Sequence, residues 1–360
     1  MEKIKIMALS AGGPATLSFC RSLRLSNIQC EIFGLDADPF NLMRAEVDHK
    51  ILCPKHTDIN YVSFLINVIK EENINYLHPQ SESDVYFIGL NRDKLSDAGC
   101  QIFLPTQYEI ELFRDKGKSQ LLWENAGIKV PKNISIQTEH DLRNAFDTFG
   151  KEIWIRETIG AAGKGSLSRP TFEEALSHID QENSWGRVVA AEHLSKDTVT
   201  WQSVWFQGDL IACQGRKRLN WAFGDRTQSG VTGLTGVGET FASNDLDAIA
   251  KKCIESANSN PHGIYSVDFT YDHNGEANPT EINIGKFFTT HMFLSSLGAN
   301  MPELIMRLLY DNEKPNKLIN PCPNGYYWIR GIDIEPKLVS VNEIESIKES
   351  YEHTLSNFSD

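Results

Sequence analysis

The sequence predicts an α/β chain that opens with a doubly wound, Rossmann-like parallel sheet and continues into α+β structure. Three observations carry this expectation. Short apolar runs alternate with stretches of helical spacing as far as Pro105, the pattern of strands joined by crossover helices. A further apolar strand, Ile153-Trp-Ile-Arg156, enters the glycine-rich loop Gly160-Ala-Ala-Gly-Lys-Gly-Ser166. Later, the strands Tyr265-Ser-Val-Asp-Phe269 and Asn278-Pro-Thr-Glu-Ile-Asn-Ile-Gly-Lys286 carry acids and an amide within apolar sequence.

In chain order, residues 4–9 form the first strand, ending at Ser10-Ala-Gly-Gly-Pro-Ala15, and residues 16–25 follow as a helix. Residues 30–35 give a second strand, closed by Asp36-Ala-Asp-Pro39, and residues 51–53 a third. Residues 61–72 are helical, because Phe64, Leu65, Val68 and Ile69 fall on one face. A fourth strand at 76–78 and a helix at 84–95 complete this unit. Residues 106–127 read as two helices around Asp115-Lys116-Gly117, and Val130-Pro131 breaks the pattern. Strands at 134–136, 153–156 and 188–192 alternate with helices at 139–149 and 171–179. Residues 198–206 and 210–216 make a hairpin about Gln207-Gly208-Asp209. Residues 216–239, rich in Gly, Thr and Arg, read as a long loop, and loops of such length in compact domains usually serve function. A helix at 244–256, the two acid-bearing strands, a helix at 301–310 and a strand at 326–334 follow. The acidic tail, 341–360, reads as a weakly docked helix.

The composition of these 360 residues is that of a globular protein, with 41% hydrophobic and 23% charged residues. A net charge of −13 argues against a nucleic-acid binder, which needs a basic face. The seven cysteines are scattered, without a C-x-x-C pair, so neither a disulfide framework nor a zinc site is expected and a reducing cytoplasm fits. No signal-peptide pattern and no apolar run of membrane-spanning length is present, so no membrane role is expected.

The chemistry begins with the two late strands. Alternation puts Glu281 and Asn283 on one face, and Asp268 on a neighbouring strand completes the set. Two carboxylates and an amide oxygen are hard donors suited to Mg²⁺ carrying a nucleotide triphosphate, with Mn²⁺ as an alternative. The 160–166 loop reads either as a hairpin turn or as a phosphate cradle formed by Gly160, Gly163, Lys164, Gly165 and Ser166; it is not a Walker A motif. Arg156 sits in an apolar strand, where a cation requires an anionic partner. Lys116 is open to a plainer reading as a helix-surface lysine. Between Arg216 and Arg226 lie four cations, with Arg216 and Arg218 the candidates for holding carboxylate, phosphate and acyl phosphate; Arg330 is of the same kind. Gln80, Ser81, Glu82 and Asp84 follow the fourth strand, where they serve either substrate selection or a helix cap. The Ser10–Ala15 turn lacks the G-x-G-x-x-G dinucleotide fingerprint.

These residues, in this order, carry a resemblance. Asp115-Lys116, Gly127-Ile-Lys-Val-Pro131, Ile155-Arg156 with its glycine loop, Glu192-His-Leu194, Val267-Asp268 and Glu281-Ile-Asn283 together resemble the ATP-grasp superfamily, in its carbamoyl-phosphate-synthase-large-subunit-like branch, over residues 4–335. The resemblance implies a pre-ATP-grasp domain (1–105), a first ATP-grasp subdomain with the lid loop (106–190), a second bearing the metal site (191–335) and a C-terminal tail (336–360). It implies that Lys116 and Arg156 contact ATP phosphates and that Gly160 to Ser166 form the lid. Glu192, His193 and Leu194 would be the hinge beside adenine, and Asp268, Glu281 and Asn283 the magnesium ligands. Asp197 or Thr198 stands about where the family places a ribose-binding glutamate, and Lys286 replaces an arginine of the E-I-N-P-R pattern. The implied activity joins a small carboxylate, activated as an acyl phosphate, to an amine with release of ADP and phosphate. Arg216, Arg218 and Lys286 are the expected catalytic residues. A bicarbonate-phosphorylating enzyme of carbamoyl-phosphate type and a non-catalytic ATP-binding module remain alternatives. Oligomeric state is open between monomer and homodimer.

Overall fold

The computed structural model describes residues 3–160, 165–227, 230, 234–311, 315–331 and 340–356. Its first sheet is parallel throughout. Strands β1 (Ile4–Leu9), β2 (Cys30–Asp36), β3 (His49–Leu52), β4 (Tyr76–His78) and β5 (Gln101–Ile102) lie in the order β3-β2-β1-β4-β5. Helices α1 (Pro14–Arg24), α2 (Pro39–Arg44), α3 (Tyr61–Glu72), α4 (Glu82–Leu90) and α5 (Arg92–Asp97) connect them, giving the expected doubly wound arrangement. Three details differ from expectation, the first being the short strand β5 beside β4. Helix α2 begins where Asp38 Oδ1 accepts from the N–H groups of Phe40 and Asn41, with Pro39 at the first helical position. The helix expected at 84–95 is two, because Asn91 closes α4 and opens α5, and asparagine favours such ends over helix interiors.

Helices α6 (Gln107–Arg114) and α7 (Lys116–Asn125) lead out of this sheet. Asp115 ends the first and caps the second, accepting from Gly117 N and Lys118 N at 3.0 and 3.2 Å. The second sheet is antiparallel, β6 (Asn133–Ile136), β7 (Ile153–Glu157), β8 (Leu167–Ser168) and β9 (Val188–Glu192), in the order β6-β9-β7-β8. Helices α8 (Glu139–Phe149) and α9 (Phe172–Gln181) share its apolar cluster of Ile136, Leu142, Ile153, Ile155, Ala175 and Ile179.

The third sheet runs β14-β13-β10-β11-β12-β16, with β15 beside β11. Its strands are β10 (Thr198–Phe206), β11 (Asp209–Trp221), β12 (Thr235–Phe241), β13 (Gly263–Tyr271), β14 (Ala277–Ile284), β15 (Leu318–Ile319) and β16 (Tyr327–Ile329). Helices α10 (Asn244–Glu255), α11 (His291–Ser295) and α12 (Met301–Tyr310) follow its strands in the chain, and the last helix, α13 (Val341–Ser356), packs on β3 and α2 of the first sheet. The segment expected as a loop at 216–239 is strand at both of its ends. Strand β11 continues to Trp221, and β12 pairs back on it with register shifts at Arg218/Asn220 and Asn220/Trp221. Such bulges break the two-residue period, which hid the strands. Gly215 serves close strand approach: a Cβ there would lie 2.6 Å from Phe241 O. The tail is helical, as expected. Helix α13 buries Ile344 and lays Tyr351 against the Phe64 ring, with 6.0 Å between centroids.

Candidate active site between the sheets

Strand register assembles the centre of the site. Arg216 on β11 lies opposite Thr200 on β10, Thr200 opposite Asp268 on β13, and Asp268 opposite Glu281 on β14. One row across four strands thus presents a cation, a hydroxyl and two carboxylates on one face. Asn283, two residues beyond Glu281, joins the same face; its amide Nδ2 donates to Asp268 Oδ2 at 3.1 Å and lies 3.5 Å from Glu281 Oε1. Thr200 Oγ1 donates to Asp268 Oδ1 at 2.5 Å and accepts from Arg216 Nη2 at 2.9 Å and Arg218 Nη2 at 3.3 Å.

Cations close the other side. Lys116 Nζ lies 3.3 Å from Glu281 Oε2 and donates to Gly160 O at 2.6 Å. Arg156 reaches Thr280 O with Nη2 at 3.2 Å, and its buried Nε has no hydrogen-bond partner. Burial pushes the Glu281 pKa up, but Lys116 and Arg156 outweigh it and hold the group at about 2. Asp268 moves the opposite way: burial raises its pKa, and the approach of Arg218 only partly offsets this. Two neighbouring carboxylates split in this manner welcome a divalent cation, which favours ionisation of both.

Among the described residues no group of three or more His, Cys, Asp or Glu side chains forms a metal cage. Two carboxylates with one amide suit Mg²⁺, which keeps waters and substrate phosphates as its remaining ligands. For Asn283 to take part, its amide must turn over and present Oδ1.

Two cavities meet at these groups. The larger, 840 Å³, lies between the second and third sheets and is lined by Trp154, Arg156, Ser166, Glu192, His193 and Leu194, among others. The smaller, 260 Å³, lies between the third sheet and the C-terminal ends of the first, with Ala15, Gln80, Glu82, Arg216, Lys286 and Phe287 on its wall. Lys116, Gly160, Arg218, Trp221, Asp268 and Glu281 border both.

Most of the residues singled out in the sequence therefore converge. Gly165 stands just outside the cavity lining with φ +70°, a conformation glycine adopts without strain. Gly163 and Lys164 fall outside the described residues. Asp197 is not brought in: it is exposed, lines neither cavity, and spends its backbone carbonyl on Tyr271 N at 3.1 Å. Of the four cations between 216 and 226, strand alternation turns Lys217 away, over the Phe241 ring, and Arg226 lies by Phe223. Ser81 and Asp84 form a reciprocal helix cap, leaving Gln80 and Glu82 to face the cavity. Sequence reasoning missed Thr200, Trp154 and Trp221. Trp221 underlies the Arg218 guanidinium at 3.7 Å, and a tryptophan next to basic residues was its only local signal.

No family model matches the chain, and no curated protein matches it. Solved structures do. The biotin carboxylase domain of Hydrogenobacter thermophilus 2-oxoglutarate carboxylase superposes with a TM-score of 0.67 at 13% identity, covering 91% of this chain and 74% of that one. N5-carboxyaminoimidazole synthetase from Staphylococcus aureus gives 0.64 at 17% identity, over 88% of this chain and 80% of that one. The fold is the ATP-grasp fold. Biotin carboxylase from Campylobacter jejuni repeats the match, with a TM-score of 0.66 at 14% identity over 88% of this chain and 74% of that one.

Proposed function

We propose that the chain is an ATP-dependent, ADP-forming ligase that activates a small carboxylate as an acyl phosphate and joins it to an amine. One observation carries this reading. A cavity large enough for a nucleotide ends on Lys116, Asp268 and Glu281, and these residues also line a second, smaller cavity. The similar structures agree with it: the Staphylococcus aureus synthetase was crystallised with ADP, and the Hydrogenobacter domain with MgADP and bicarbonate.

In this reading Asp268, Glu281 and Asn283 hold Mg²⁺, which, when bound, neutralises charge on the transferred phosphoryl group. Lys116 and Arg156 position the phosphates from the clamp side. The backbone of Glu192, His193 and Leu194 borders the adenine end. Gly160, Gly165 and Ser166, with Gly163 and Lys164, act as the lid that keeps water from the acyl phosphate. Arg216, Arg218 and Lys286 supply positive charge where the carboxylate and the acyl phosphate sit. Lysine at 286 does so as a point charge, without the fork of an arginine. The division into four units at 105, 190 and 335 belongs to this reading.

Bicarbonate as the activated carboxylate is a second reading, favoured by the anion in the Hydrogenobacter neighbour. A homodimer is proposed as well, since that biotin carboxylase domain was described as a dimer, and sedimentation velocity tests it. Cytoplasmic residence is proposed on the seven free cysteines; no described helix is long and apolar enough to cross a membrane.

ADP release measured against panels of carboxylates and amines, with bicarbonate as a separate arm, tests the function. Release should require Mg²⁺ and one acid–amine pair, and Asn283→Ala should abolish it in a folded protein. Release by bicarbonate alone would select the second reading. Tight Mg·ATP binding with no release across the panels would leave only a non-catalytic module.

A further inference from the structure

Gln120 is a buried carboxamide with nothing to bind. It is 1% exposed, and neither its Oε1 nor its Nε2 has a hydrogen-bond partner among the described residues. A buried polar group without a partner keeps its full desolvation penalty, and here two atoms of one side chain carry it. The side chain also lines the larger cavity. Leucine would fill the same space without that cost. The orphaned amide therefore points to a ligand that offers a donor and an acceptor side by side, as a primary carboxamide does. Gln120 belongs to none of the phosphate, lid, hinge or metal positions.

The fold says which part of a nucleotide reaches it. Gln120 stands four residues after Lys116 in α7, so both project from one face of the helix. Lys116 marks the metal end, with its Nζ 3.3 Å from Glu281 Oε2 on β14. Helix α7 packs on β14, and the chain beyond it reaches Lys129, whose Nζ pairs with Asp272 Oδ2 at 2.5 Å just past the end of β13. The hinge segment docks at that same end: Ser195 N donates to Tyr271 O at 2.9 Å, and Tyr271 N to Asp197 O at 3.1 Å. Helix α7 thus starts at the metal end and leads toward the hinge. Gln120 lies about 6 Å along it from Lys116, at about 1.5 Å per residue, past the phosphate end and toward the base.

Resting on the nucleotide site of the ligase reading, we propose that Gln120 selects the base, by reading the edge of adenine that carries the 6-amino group and N7. Its Oε1 accepts from the 6-amino group and its Nε2 donates to N7. Glutamine pairs with this edge of adenine through two hydrogen bonds. A 6-keto purine presents two acceptors there, so one bond is lost and an oxygen faces an oxygen. The hinge backbone is left with the other edge of the base. Because no protein group holds either amide atom, the bound base alone decides which way the amide faces.

Calorimetric titration of the Mg²⁺ complexes of ADP, 7-deaza-ADP and inosine diphosphate into wild type and Gln120→Leu tests this, with 2′-deoxy-ADP as the probe of the ribose. Wild type should bind 7-deaza-ADP and inosine diphosphate each about tenfold or more weakly than ADP, the scale of one base-edge hydrogen bond. In Gln120→Leu the loss from 7-deaza substitution should vanish, and the loss with inosine diphosphate should shrink by about tenfold. Urea unfolding without nucleotide should place the Gln120→Leu midpoint at or above that of wild type, since the substitution removes two unpartnered atoms. A lower midpoint would show that the folded chain already satisfies the amide, and would overturn the proposal. So would an equal 7-deaza loss in both proteins, or a variant whose one lost preference is for the 2′-hydroxyl; each of these leaves the ligase reading standing. Failure of wild type to bind MgADP at all would sink the ligase reading, and the base-reading role with it.

Discussion

The Thr200 hydroxyl shows how much of the site one small residue can organise. It donates to Asp268 and accepts from two guanidinium groups, those of Arg216 and Arg218. Thr200→Val keeps the shape and removes all three bonds. Buried donors left without partners cost about 1–3 kcal/mol, so urea unfolding should show a loss of that size, and ADP release should fall with it. An unchanged midpoint would mean that water replaces the hydroxyl. The neighbouring acids were readable in the sequence, because alternation along one strand already places Glu281 and Asn283 together. Thr200 was not, because its role arises only when three strands fall into register. Of the two ribose candidates Thr198 lines the larger cavity and Asp197 does not, because distance along the chain from the hinge does not say which way the backbone turns, and at Asp197 it turns into a bond with Tyr271.

At the scale of elements, the floor beneath the smaller cavity is built from β4, α1 and α11. His78 on β4 stacks on Phe19 of α1 with ring centroids 3.8 Å apart, and its Nε2 pairs with Gln80 Oε1 at 2.7 Å. Gln80 Nε2 in turn donates to Phe287 O at 2.7 Å, fixing that cavity wall. Burial lowers the His78 pKa from 6.5 to about 4, and burial beside His78 takes His291 of α11 from 6.5 to about 3. The unfolded chain binds protons on these rings below pH 6.5, while the folded protein does not until pH 4 or lower. Stability is therefore full above pH 6.5 and is lost as pH falls toward 4. His78 alone accounts for about 3 kcal/mol of that loss. Unfolding free energy measured across this window should drop on acidification, and the drop should be smaller in His78→Gln. A flat profile would contradict the burial argument. Long helices and apolar strands were readable from periodicity, whereas β11 and β12 were not, because bulges scramble the pattern. Helix α2 had its signal in Asp38-Pro39, which also ends a strand, and one dipeptide cannot say which.

Across the whole molecule, three sheets bound two adjoining cavities, and helix α13 returns to brace the first sheet. Ile344 is 7% exposed, and Ile347 and Tyr351 pack on the cluster of Ala11, Leu42 and Leu52. Removing residues 340–360 should lower stability by about 2–3 kcal/mol, the scale of one fully buried large aliphatic side chain, while Mg·ATP binding persists. Loss of nucleotide binding in a folded truncation would give the helix a part in the site. The sequence order of weak motifs carried the three-sheet plan. It could not show that a second, smaller cavity borders the larger one, because that cavity is formed by segments far apart in the chain, Ala15, Glu82, Arg216 and Lys286 among them. The central claim is that Asp268, Glu281 and Asn283 form the metal end of a nucleotide clamp. Calorimetric titration of Mg·ATP into wild type and Glu281→Gln, with folding of both verified by circular dichroism, tests it most directly. The wild type should bind at a single site, with the variant weaker by at least about tenfold. Equal affinities, or no binding by the wild type, would contradict the claim.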